Sequence, residues 1–163
     1  MSDDLAKDAL RRMAYGFYSI TSRSGDTVNA MVANWVMQVS FEPRLIALGL
    51  QKTSRSYGLI NEGRVFAVNI FNKADADAIR PFTKSTAKNP DKMKDAKWTP
   101  APQTGCPILE GAAAYVECRV INKLETGGDH DVMVGEVVGA GVMKPGEAGD
   151  TLTLVDLGWS YAG

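Results

Sequence analysis

The sequence predicts a mainly β fold, an antiparallel barrel or sandwich, on three observations. Six or seven runs are enriched in β-branched and aromatic residues. Most of these runs are joined by short turns suited to hairpins. Helical periodicity is confined to a few short stretches. The 163 residues suit one domain with a sizeable core, taken as residues 1–163.

Asp3 to Met13 reads as a short amphipathic helix, with Leu5, Ala9, Leu10 and Met13 on one face and Asp3 or Asp4 as its cap. Phe17 to Arg23 reads as a strand, and Ser24-Gly25-Asp26 as a hairpin turn in which Gly25 supplies a positive φ. Thr27 to Phe41 returns as one long strand, whose fifteen residues call for a bulge or bend near Ala33-Asn34. Pro43 punctuates the chain before a strand from Arg44 to Gln51. Ser54 to Asn61 is a short helix with Gly63 at its C-cap. Arg64 to Phe71 is apolar on both faces, which marks a central strand. Ala74 to Arg80 is a helix that Pro81 ends.

Phe82 to Gly105 is polar, Pro-interrupted and rich in lysine: Lys84, Lys88, Lys92, Lys94 and Lys97 against Asp91 and Asp95. It is taken as a lid-like loop over residues 83–106; the plain reading is a solvated face, the functional one a flap that attracts an anionic nucleotide. Ala112 to Leu124 alternates, with Val116, Cys118 and Val120 facing one way and Glu117 and Arg119 the other. His130 to Val142 is a strand whose glycines imply strong curvature. Lys144 to Asp150 is a surface turn, and Leu152 to Tyr161 closes the chain as a last strand and tail.

Composition narrows the function. A net charge of −1 gives no pull toward nucleic acid or membrane. No apolar run approaches the roughly 20 residues that span a bilayer. The acidic start, Ser2-Asp3-Asp4, lacks the layout of a signal peptide, so a cytoplasmic location is expected. Cys106 and Cys118 form no CxxC pair and read as buried thiols; with one histidine in the chain, no metal site is expected.

The chain is organised around Asn29 to Ile60. There Lys52, Thr53, Ser54, Arg55 and Ser56 gather hydroxyls, amides and two cations where a strand passes into a helix, which is what a phosphate requires. A helix cap with two surface cations explains the same residues. Neither GxGxxG nor GxxxxGK[ST] occurs. Asn34, Trp35 and Gln38 interrupt an apolar strand, either to face a ligand or to pair across the sheet. His130 follows a Gly-Asp turn, as a structural residue or at the rim of a site. Glu117 with Glu136, and Asp129 with Asp131, are better explained by strand alternation than as catalytic pairs.

Four segments together resemble the flavin reductase-like, FMN-binding split-barrel proteins, which include flavoredoxins and NAD(P)H:flavin reductases. They are Met31-Val32-Ala33-Asn34-Trp35 with Ser40-Phe41-Glu42-Pro43; Lys52-Thr53-Ser54-Arg55-Ser56-Tyr57; Phe66-Ala67-Val68-Asn69-Ile70; and Gly128-Asp129-His130 with Gly135-Glu136-Val137. The resemblance implies a mainly β fold, an antiparallel six-stranded split β-barrel of Greek-key type with a few short helices, assembled as a homodimer. It implies FMN as cofactor (FAD as the alternative) and NADH or NADPH as donor. An electron carrier without a nicotinamide site, reduced by an acidic protein partner such as a ferredoxin docked on the Lys84–Lys97 loop, is the other activity it allows. By resemblance, Val32, Ala33, Asn34 and Trp35 border the flavin ring, and Leu50, Gln51 and Lys52 follow the ribityl chain. Thr53, Ser54 and Ser56, with Lys52 or Arg55, hold the phosphate, and His130 is the catalytic-site residue where the nicotinamide approaches. The sequence departs from the pattern at Arg44, where a second proline is common, at the bulky Trp35 and at Met37-Gln38.

Overall fold

Hairpins build the sheet, as alternating polarity and short turns require. A computed structural model describes residues 3–161. Tyr18–Ser24 (β1) turns at Gly25, φ +56°, into Thr27–Ala33 (β2). The long run bends where expected: Asn34 and Trp35 leave strand geometry, and Val36–Phe41 (β3) follows. Arg44–Gln51 (β4) pairs back on β3, and Val65–Ile70 (β5) pairs with β1. Trp98–Pro100 (β6) and Pro107–Leu109 (β7) form a separate two-stranded ladder. Ala114–Leu124 (β8) and His130–Val142 (β9) are the longest strands.

One seven-stranded antiparallel sheet results, in the order β2-β1-β5-β8-β9-β4-β3. The resemblance implied a six-stranded barrel, which this open seven-stranded sheet does not reproduce; the bend at Asn34-Trp35 divides one long run into two. That division also shapes the sheet. Its two edge strands, β2 and β3, are consecutive in the chain, and the three residue steps from Ala33 to Val36 span at most about 11 Å. The sheet therefore curls so that the end of β2 and the start of β3 come close at this corner, without a ladder between these edge strands.

Inside the curl pack Ile20, Leu48, Leu50, Ile60, Phe66 and Met133, all at 0% exposure; each contributes on the order of 2 kcal/mol through apolar burial. A second cluster around Phe17, Phe71, Ile79, Leu109 and Leu152 joins the 70–110 region to the sheet. Cys106 and Cys118 are buried free thiols, and burial pushes them up to about 11 and about 12, so both stay protonated and unreactive. No helix among the described residues is long and apolar enough to cross a membrane.

Several local expectations change. Asp3–Leu10 (α1) carries Asp3 and Asp4 inside its first turn, and Leu5, Leu10 and the following Met13 stay exposed. Arg55–Gly63 (α2) has Arg64, φ +57°, as its left-handed C-cap in place of Gly63. Gly63 answers another need: a Cβ there would lie 1.9 Å from the Arg23 carbonyl oxygen, so only glycine lets the helix end against β1. Pro81 does not end the preceding helix. Ala76–Ile79 (α3) runs into a 3-10 turn, Arg80–Thr83, and Pro81 sits in its first positions, where no N–H is needed. The expected strand Leu152 to Tyr161 makes only isolated bridges at Thr151 and Thr153. The Asp156 carboxylate accepts hydrogen bonds from Thr153 N (2.8 Å) and Oγ1 (2.6 Å), which turns the chain into the 3-10 segment Val155–Leu157.

Residues 83–106 are not one structureless loop. They hold a single helical turn, Lys92–Asp95 (α4), and strand β6. Glu117, expected to face outward beside Arg119, is buried at 1% exposure next to a bulge in β8. Its Oε2 accepts from Gln103 N (2.9 Å), Thr104 N (2.7 Å) and Thr104 Oγ1 (2.9 Å), and so ties down the end of the segment.

Candidate functional site

Strand β4 ends at Gln51, and a tight turn leads into α2. Ser54 caps the helix: its backbone is extended (φ −74°, ψ 146°) and its Oγ accepts from Tyr57 N at 3.1 Å. Ser56, in the first turn, is buried and its Oγ accepts from Asn29 Nδ2 at 2.9 Å. Asn29 Oδ1 in turn accepts from Thr86 Oγ1 at 3.1 Å, which links β2 to the 83–106 segment. Among the described residues the hydroxyl protons of Ser54 and Ser56 have no acceptor, so both can donate to a ligand.

These elements wall a cavity of about 510 Å³. Its charged lining is Arg55, Lys84 and Lys92, and its hydroxyl lining includes Thr53, Ser54, Ser56, Thr83, Ser85 and Thr86; among the described residues no carboxylate lines it. Lys92 is only 3% exposed, and its Nζ donates to the Lys84 carbonyl oxygen at 3.1 Å. Burial first, and the nearby Arg55 second, hold its pKa below the ordinary lysine value. A buried ammonium with a carbonyl but no carboxylate partner is a group that an anion would stabilise.

Lys52 is not part of this lining. Its amide donates to the Asp129 carbonyl oxygen at 3.0 Å, and its Nζ lies 3.4 Å from Asp131 Oδ1. Asp131, buried at 2% exposure, also accepts from Tyr57 Oη at 2.7 Å and from Thr126 N at 3.2 Å. The Tyr57 bond foremost, then the Thr126 amide and Lys52, keep its carboxyl below the usual range despite burial. Tyr57 is raised by the same bond. The network pins the start of β9 to the turn before α2.

Register carries the site to its second half. His130 lies opposite Gln51 on neighbouring strands. It lines a cavity of about 600 Å³ with Asn34, Trp35, Met13, Tyr15 and Asp129. Trp35 meets the His130 ring edge-on at 4.7 Å and 64°, and Tyr161 at 5.2 Å and 78°. His130 Nδ1 is 2.8 Å from Asp129 Oδ1, a bond that holds the Asp129 carboxyl below its ordinary value. A Cβ on Gly49 would stand 3.1 Å from Trp35, so the glycine gives the indole its seat. Asn34 Nδ2 is buried without an acceptor among the described residues, which suits an acceptor on a bound molecule.

Thus Val32, Gln51, Thr53, Ser54, Arg55 and Ser56 line the first cavity, and Asn34, Trp35 and His130 the second. The Ala33 and Leu50 side chains pack in the core. Asp129 and Asp131 point to different partners and form no carboxylate pair. Sequence reasoning missed Asn29, Thr86 and the placement of Tyr15 in the same cavity as His130. Asn29 carried one available signal, an amide on the apolar face of a strand; the other two depend on long-range folding.

Residues 10–160 match the family model described as flavin reductase like domain. The chain is 32% identical over 145 residues to diflavin flavoprotein A 1 of Synechocystis sp., a match that covers 88% of this chain and 25% of that protein. It spans about a quarter of the length of the curated relatives it matches. The NADH:FAD oxidoreductase SgcE6 of Streptomyces globisporus C-1027 superposes with a TM-score of 0.77 at 25% identity, covering 87% of this chain and 84% of that one. Flavin reductase PheA2 in its native state gives 0.73 at 26% identity, covering 88% and 89%.

Proposed function

This chain belongs to the flavin reductase-like domain family, and on that footing we propose that it is an FMN-binding oxidoreductase that takes a hydride from NADH or NADPH and passes the electrons to an acceptor. The observation that carries this reading is the first cavity, with its cations and hydroxyls and no carboxylate. Such a lining suits a phosphate, which accepts several charge-assisted hydrogen bonds and is repelled by acids. Arg55 and Lys92 would neutralise it, and Ser54 and Ser56 would donate to it. Lys52 would act at one remove, by holding the turn to Asp129 and Asp131.

Strand β2 is an edge strand, so backbone groups near Val32 to Asn34 that do not pair with β1 are available to the polar edge of a flavin ring. Asn34 Nδ2 would add a donor there. When bound, FMN supplies the two-electron chemistry; the chain binds, orients and shields it. Amides aimed at the ring edge would favour negative charge at that position. His130, held at Nδ1 by Asp129 and against Trp35, would position the nicotinamide. Two copies would pair over edge strand β3, where Met37, Val39 and Phe41 are exposed, Phe41 by 85%.

Anaerobic mixing of the FMN-loaded protein with NADH or NADPH tests the activity. The yellow absorbance bleaches with at least one donor; persistence with both removes the hydride reading.

A further inference from the structure

The ten lysines divide in two. Lys7, Lys52, Lys73, Lys123 and Lys144 each lie within 4 Å of a carboxylate. Lys84, Lys88, Lys92, Lys94 and Lys97 have no ion-pair partner among the described residues, although Asp91 and Asp95 are in the same segment. All five unpaired lysines fall in residues 83–106. Five lysines against two aspartates give that segment a charge of +3; the whole chain is −1, so the remainder carries −4. Lys92 turns inward to the first cavity, whereas Lys84, Lys88, Lys94 and Lys97 are exposed.

From this we infer that the exposed lysines are a docking surface for an acidic one-electron redox protein, placed to exchange electrons with a flavin whose phosphate lies in the first cavity; the second half of the statement rests on the function proposed above. Separation of charge gives the molecule a dipole whose positive end is the wall of the cavity, and a dipole of this kind steers an acidic partner to one face. Lys88 and Lys94 line neither cavity of the site, so a small anion held in the first cavity leaves them unused, while a protein surface spans them. Two encounters with a reduced one-electron donor supply two electrons, and water supplies the proton that the flavin takes up with them.

The test uses an acidic [2Fe–2S] ferredoxin of plant type, whose low potential is enough to drive flavin reduction. Titration of the chain with oxidised ferredoxin at low salt reads docking whether or not flavin is present; stopped-flow mixing with the reduced form reads transfer. The variant Lys88→Glu/Lys94→Glu is compared with Arg12→Glu/Arg44→Glu, which makes the same change in net charge elsewhere. Docking and transfer both fall about ten-fold or more in the lysine pair and little in the arginine pair, and both weaken as salt is raised. No docking at low salt, or equal loss in the two pairs, overturns the inference. So does a lysine pair that raises the KM for NADH or NADPH yet docks normally, since the patch then serves a nucleotide. A colourless chain that still docks through Lys88 and Lys94 would remove the flavin reading and leave the surface standing.

Discussion

The two cavities meet at one register pair, Gln51 lining the first and His130 the second, yet their chemistry is opposite. The first is walled by Arg55, Lys84, Lys92 and hydroxyls, and six of its fifteen lining residues come from the 83–106 segment. The second is walled by aromatic rings, Met13 and Met37, and its polar groups are fixed by strand ends. One is suited to charge and the other to a flat ring. The difference teaches that one pair of neighbouring strand ends can border two unlike cavities when the elements around them, not the strands themselves, choose the lining.

The contrast is sharpest where charge is removed without loss of volume. Arg55→Met and Lys92→Met should each weaken FMN by about ten-fold or more, since a charge-assisted hydrogen bond is worth about 1.5–3 kcal/mol, while riboflavin, which lacks the phosphate, changes little. Fluorescence titration of both flavins checks this, and equal weakening would erase the distinction between the cavities. A smaller effect is expected across the register pair. His130→Ala should raise the KM for the nicotinamide donor roughly three- to ten-fold, as for the loss of about 1 kcal/mol of ring contact, with FMN affinity unchanged; steady-state kinetics beside the titration shows whether the cavities are separable.

The smallest effect concerns the link between them. Asp131 has a folded pKa below its unfolded value of about 3.9. Its carboxylate therefore favours folding above that pH, and this contribution is lost as pH falls through the lower folded value. Asp131→Asn should flatten that part of the acid limb in a plot of urea midpoint against pH, and should loosen Lys52. An unchanged acid limb would mean that the Tyr57–Asp131–Lys52 network does not tie the cavities together.

Much of the framework was legible in the chain. Arg44–Gln51 and His130–Val142 end where alternation and flanking turns end them, and the Asn34-Trp35 bend follows from the length of the run. Ser54 was legible as a cap because capping is a local bond. Gly63 was misassigned because the chain alone does not reveal the Arg23 carbonyl oxygen that crowds it. Leu152 to Tyr161 has the composition of a strand, but the Asp156–Thr153 bonds override it. Within the site, Thr53 to Ser56 were visible as a cluster, whereas Asn29 and Thr86 join it through a bond between residues 57 apart in the chain.

By itself the sequence determined the strands, their turns, the hydroxyl cluster before α2 and the presence of a lysine-rich segment, all of which depend on neighbours a few residues away. Tertiary structure alone decided that Lys52 turns to Asp131, that Lys92 is buried beside Arg55, and that the other lysines of residues 83–106 meet no carboxylate among the described residues. The reason is electrostatic: a charge is defined by what surrounds it within a few ångströms, and only the curled sheet brings those surroundings together.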